Sequence, residues 1–193
     1  MSVIGSLKEN PPISPTGASR KVIDDAASLI GKKLEFQTGG DLRELIETRL
    51  QGSVKIAPPE ERLQYGYLRV PGTENHKFDI VLSPYTGDFH DRFTMAHELG
   101  HYFLHYVFQE RVDELIINRE GTDRAESEAN WFAEALLMPA DAFEKAWKEC
   151  EGYLPEMIYR FRVASDLIAH RRRVLDQLKN ITEPDGLCDQ DCD

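Results

Sequence analysis

Residues 97–101 read His-Glu-Leu-Gly-His, and no other stretch restricts the chain so sharply. On an α-helix, positions four apart are neighbours on one face. His97 and His101 can therefore aim two imidazoles at a single point, as two corners of a tetrahedral zinc site require. Glu98 directly follows the first of them, so it points off the His–His axis. From there it reaches a water on the metal and not the metal itself, the arrangement in which a Glu serves as general base.

The surroundings favour that reading over a helix with two unrelated histidines. Phe93, Met95, Ala96, Leu99, Tyr102, Phe103, Leu104, Tyr106, Val107 and Phe108 place apolar residues on nearly every side, the pattern of a buried helix over 94–108. Buried charges need partners, and a metal supplies one. Gly100 costs about 1 kcal/mol relative to Ala in a helix interior. That cost is tolerable where a side chain would block the close approach of another segment, such as a substrate strand.

A catalytic site of this kind needs a third protein ligand and one open position. The next strong helix begins near Thr122 and stops at Pro139. Ala129, Phe132, Ala133, Leu136 and Leu137 make its core face. Glu126 and Asn130 share the adjacent stripe, whereas Glu128 points elsewhere. Glu126 is the expected third ligand, with Glu128 as the fallback. Asn130 is expected to hydrogen-bond a ligating His and fix its tautomer.

Arg-Phe-Thr-Met-Ala-His-Glu-Leu-Gly-His at 92–101, Leu-His at 104–105, and Glu-Ser-Glu-Ala-Asn-Trp-Phe-Ala-Glu-Ala-Leu-Leu-Met-Pro at 126–139 resemble the ImmA/IrrE family of zinc metallopeptidases. The likeness extends in layout over roughly residues 50–175. It implies His97, His101 and Glu126 as zinc ligands and Glu98 as base. It implies an α+β fold, a mainly helical, minimal gluzincin-like zincin core with a small three-stranded twisted sheet packed on the motif helix. It further implies a bacterial, phage or mobile-element setting, gene regulation or stress response, and a protein or peptide substrate such as a helix-turn-helix repressor or antitoxin.

The rest of the chain fits one metallopeptidase domain over 19–180. At 193 residues, with 41% hydrophobic residues, it can bury a real core. A net charge of −11 argues against direct nucleic-acid binding, which needs clustered Lys and Arg. Three cysteines form no disulfide framework, no apolar signal segment opens the chain, and no run is long enough to span a membrane. A soluble cytoplasmic protein with reduced thiols is expected.

Residues 1–18, with the breaker cluster Asn10–Gly17, are expected to be a flexible arm or an extended segment lying on the domain. Helices are expected at Ala18–Gly31 and at Leu42–Leu50, the second capped by Asp41 with Glu44 three residues on. Strands are expected at 53–57, 66–70 and 77–82. Residues 111–121 suit either a short helix or a strand. An amphipathic helix over Asp141–Cys150 follows. Residues 155–178 suit a helix, a turn and a second helix. With Arg160, Arg162 and Arg171–Arg173 they invite a helix-turn-helix reading. The overall acidity favours instead two helices closing the core with a solvated arginine face. The acidic tail 181–193 is expected to be disordered, with Cys188 and Cys192 as exposed thiols.

Zinc-dependent endopeptidase chemistry is the main expectation. The alternatives are a non-proteolytic zinc-containing regulatory binding protein and a transcription regulator using its C-terminal helices. A second oxyanion donor is not placed by the sequence, and Tyr85, His105 and His170 are its candidates. His90, in the loop before the motif helix, could also line the cleft, although surface placement is the commoner fate of such a residue.

Overall fold

A computed structural model describes residues 13–71, 77–117 and 123–182. Its elements follow in the order α1 (Arg20–Lys33), α2 (Leu42–Arg49), β1 (Gly52–Ile56), β2 (Tyr67–Val70), β3 (Phe78–Leu82), α3 (Asp88–His101), β4 (Leu115–Ile117), α4 (Asp123–Leu137), α5 (Ala140–Glu149), α6 (Leu154–Phe161) and α7 (Ser165–Thr182). The α+β, mainly helical architecture agrees with the expectation.

Local chemistry explains the boundaries. Asp41 accepts from the Glu44 amide at 3.1 Å and starts α2. Ser19 accepts from the Val22 amide and starts α1. Pro139 ends α4 and supplies the turn into α5. Arg162 takes a left-handed conformation at φ 53 and closes α6, its amide bonding the Ile158 carbonyl.

Among the described residues the sheet has four strands and not three, in the order β1-β3-β2-β4. β1 runs parallel to β3, with Val54 opposite Ile80. β2 is antiparallel to both β3 and β4, with Leu68 opposite Ile80 and Ile117. The added strand comes from the segment that suits either a helix or a strand. Leu115 and Ile117 are buried on either side of Ile116, and three residues are too few to display a period on their own.

β3 is buried at every position, because α3 covers it on one face and strands flank it on both sides. α4 packs against both α3 and α1. Ala125, Ala129, Phe132, Ala133, Ala135, Leu136 and Leu137 all lie inside. Each large side chain so buried contributes about 1.5–3 kcal/mol.

The expected arm divides. Residues 1–12 lie outside the described residues, while Ile13 packs into the core and 14–18 lie over the domain without regular secondary structure. The tail beyond Thr182, with Cys188 and Cys192, is also outside them. At the C-terminal end Met157, Phe161, Val163, Ile168, Val174 and Leu175 are buried, so α6 and α7 close the core. The arginine run corrects one expectation. Arg173 is exposed, but Arg171 is fully buried, with Nη1 donating to Asp24 at 2.6 Å and Nε to the Met138 carbonyl at 3.1 Å. A buried guanidinium needs such partners, and nothing in the spacing of residues marks Asp24, on α1, as lying opposite. No helix among the described residues is long and apolar enough to cross a membrane.

Candidate active site

α3 delivers the first donors. Asp88 and Asp91 occupy its first turn, where carboxylates oppose the helix dipole favourably. Met95, Ala96 and Leu99 then bury the helix, carrying His97, Glu98 and His101 inside with about 1% exposure each. After His101 the chain does not continue as an α-helix. Residues 102–107 form a π-helical turn, a wider turn that often marks functional sites. It sets the His105 ring against that of His101, with centroids 5.1 Å apart.

α4 delivers the third donor, and Gly100 sets its distance. A Cβ on Gly100 would meet the Ala129 Cα and carbonyl oxygen at 3.0 Å and the Phe132 Cβ at 3.1 Å. The missing side chain therefore admits helix α4, not a substrate strand. With the helices this close, Glu126 reaches across.

His97 Nε2 lies 3.1 Å from His101 Nε2. Glu126 Oε2 lies 3.3 Å from His97 Nε2, and its Oε1 3.2 Å from His101 Nε2. Donors about 2.0–2.1 Å from a tetrahedral zinc stand roughly 3.3 Å from one another, so these separations have the right size. Proton bookkeeping agrees. Asn130 Oδ1 only accepts and lies 2.9 Å from His97 Nδ1, so that nitrogen carries the proton and Nε2 is a bare lone pair. Glu126 Oε1 is buried and has no hydrogen-bond partner among the described residues. Lone pairs and a carboxylate crowded in the interior repel each other unless a cation sits among them. His97, His101 and Glu126 are the His/Cys/Asp/Glu group among the described residues able to hold a metal. The donor set, two imidazoles and one carboxylate, fits zinc.

The protonation states suit the same role. Burial pushes the His101 pKa down to about 4, despite its contacts with Glu126. His101 is thus neutral, its ligand form, at neutral pH.

Glu128 takes a different place. It is fully buried and bonds His105 Nε2 at 3.1 Å, away from the three donors. The oxyanion candidates are also spoken for. Tyr85 donates its hydroxyl to the Pro59 carbonyl at 2.8 Å. His170 Nδ1 lies 3.1 Å from Glu134. His105 stands behind His101, fully buried, and does not face a cleft edge. His90 is exposed.

A profile of the IrrE N-terminal-like domain, Peptidase M78, matches residues 60–173. The chain belongs to this family. The matched span contains α3, the sheet strands β2 to β4, and α4, and so every donor described above. A Mycobacterium tuberculosis transcriptional regulator of known structure shares the fold, with a TM-score of 0.55 at 20% identity over 78% of this chain and 46% of that one. The chain thus spans less than half of that protein's length. Comparison with curated protein sequences finds no match.

Proposed function

We propose that this member of the M78 family is a zinc-dependent endopeptidase that cleaves a specific protein partner. The observation that carries the reading is the convergence of His97, His101 and Glu126, with Glu98 buried next to the first ligand. A zinc ion held by those three would supply Lewis acidity toward a water and the scissile carbonyl. Glu98 takes the proton from the attacking water and returns it to the leaving amine. Asn130 holds the His97 ring in the tautomer that presents Nε2 to the ion. An edge strand would hold the substrate backbone by main-chain hydrogen bonds, and the sheet ends in β1 and β4.

The transcriptional-regulator designation of the structural neighbour favours a second reading. In it the domain recognises a regulatory protein, such as a helix-turn-helix repressor or antitoxin, without cutting it. Glu98→Gln separates the two. The change keeps size and shape but removes the proton acceptor, so zinc content and partner binding survive while cleavage falls about 10²–10⁴-fold. Co-expression with products of neighbouring genes reads the result directly. A fragment made by the wild type and not by the variant supports the peptidase. An undiminished biological effect of the variant hands the function to the binding reading.

A further inference from the structure

Behind His101 lies a hydrogen-bonded chain that the hydrolytic mechanism does not use. His101 Nδ1 is 3.0 Å from His105 Nδ1, and His105 Nε2 is 3.1 Å from Glu128 Oε2. Glu128 in turn is gripped by the N-terminal segment. The Thr16 amide and hydroxyl reach Oε2 at 2.7 and 3.0 Å, and the Gly17 amide reaches Oε1 at 3.0 Å. Arg124 Nε, one turn back on α4, also donates to Oε1 at 3.0 Å. His101, His105 and Glu128 are all buried, with 1%, 0% and 0% exposure.

We propose that His105 and Glu128, anchored by Thr16 and Gly17, are positioning residues that fix the tautomer and ring orientation of His101 for metal binding. The proposal rests on the metal-site reading above and adds a second support to it. The direction of every proton follows from the partners. Amides and guanidinium donate only, so Glu128 is an ionised acceptor and His105 Nε2 must donate to it. An imidazole bound to a metal through Nε2 keeps its proton on Nδ1. His101 Nδ1 therefore donates, and His105 Nδ1 accepts. One assignment satisfies every contact and leaves the His101 Nε2 lone pair aimed at His97 and Glu126. Asn130 does the same for His97 with a single bond. For His101 the acceptor is itself an imidazole, so it needs its own orienting carboxylate.

The anchor explains the course of residues 14–18. Gly17 adopts φ +71, a left-handed conformation that costs Gly little, and nothing lies within 4 Å of where its Cβ would be. This twist turns two successive amides toward one carboxylate, the geometry of an anion-holding nest. Gln109 Nε2 donates to the Ser14 carbonyl at 2.7 Å and ties the same segment to the end of the π-helical turn. The segment before α1 is thereby connected to a metal ligand on α3.

The test measures zinc affinity by competition with a chromophoric chelator, and the visible spectrum after cobalt(II) substitution. His105→Leu fills similar space but offers no acceptor. His105→Asn keeps an acceptor near the Nδ1 position. Glu128→Gln keeps shape but not charge. Thermal denaturation of the metal-free forms establishes that each variant folds. Outer-layer partners of this kind are worth about 10–100-fold in affinity, so His105→Leu and Glu128→Gln should each bind zinc 10–100-fold more weakly. His105→Asn should recover part of that loss, and the cobalt spectrum of His105→Leu should shift. A pure packing role predicts the opposite order, with Leu tolerated and Asn damaging, and that order overturns the proposal. So does wild-type affinity in both His105→Leu and Glu128→Gln. If wild type and His97→Ala bind zinc equally, the metal-site reading itself is what fails.

Discussion

At the scale of single residues, Gly100 decides how near α4 comes to the motif helix. Gly100→Ala improves helix propensity by about 1 kcal/mol. It also drives a methyl into the Ala129 backbone at 3.0 Å, which cannot swing aside as a side chain would. Overpacking of that kind costs about 1–3 kcal/mol. A net loss of stability is expected in urea denaturation, and a variant more stable than wild type would show that the interhelical distance is not set here. Glu126→Ala removes one of three donors, so zinc retention through gel filtration should be lost outright. The His97–His101 spacing and the stripe containing Glu126 and Asn130 are visible in the sequence because regular helices repeat. The place of His105 is not, because a π-helical turn departs from that repeat just where His105 sits. The Glu126–Glu128 pair likewise reads as one ligand and one spare. Only the approach of Thr16 and Gly17 shows what the second carboxylate holds.

At the scale of elements, α7 is fastened to α5 through Glu144. Lys179 Nζ approaches one carboxylate oxygen at 2.8 Å and Arg172 Nη1 the same oxygen at 3.1 Å. Burial would raise the Glu144 pKa, but these two cations outweigh it and hold it below the ordinary carboxylate range. A carboxyl whose pKa is depressed by folding stabilises the fold above its unfolded pKa and loses that contribution as pH falls through the folded value. Glu144→Gln should therefore cost roughly 0.5–1 kcal/mol at pH 7, the scale of a partly exposed ion pair. The gap to wild type should narrow steadily below about pH 4.5. Equal deficits at pH 7 and pH 3 in guanidinium titrations would mean that Glu144 acts by packing. The helices themselves are legible, since α1 and α2 carry caps at Ser19 and Asp41 and α4 and α5 carry periodic apolar faces. β4 and the burial of Arg171 are not legible in the sequence, and for one reason. A three-residue strand and a single buried cation are specified by distant partners, β2 and Asp24, rather than by their neighbours in sequence.

At the scale of the whole molecule, the proposed metal joins two helices that already belong to one core. His97 and His101 lie on α3 and Glu126 on α4, and the apolar residues around them continue through the sheet and into α6 and α7. That arrangement differs from small zinc domains, which have too little core to fold without the ion. Here Phe78, Ile80, Leu99, Phe132, Phe143 and Phe161 are all fully buried. The metal-free chain should therefore stay folded at 25 °C, with an unchanged far-ultraviolet dichroism spectrum after chelation. Stability should nevertheless fall, because an ion that binds the native state alone contributes about 4 kcal/mol when present at a thousand times its dissociation constant. For a domain of this size each kcal/mol moves Tm by roughly 2–4 °C. A chelator should thus lower Tm by about 8–16 °C, and added zinc should restore it. His97→Ala and Glu126→Ala should melt at the same temperature with and without chelator. If wild type shows no chelator-dependent shift while retaining its fold, the three donors do not hold an ion in solution. If it unfolds completely on chelation, the apolar core is not self-sufficient and the ion is a structural element as well as the proposed catalytic one.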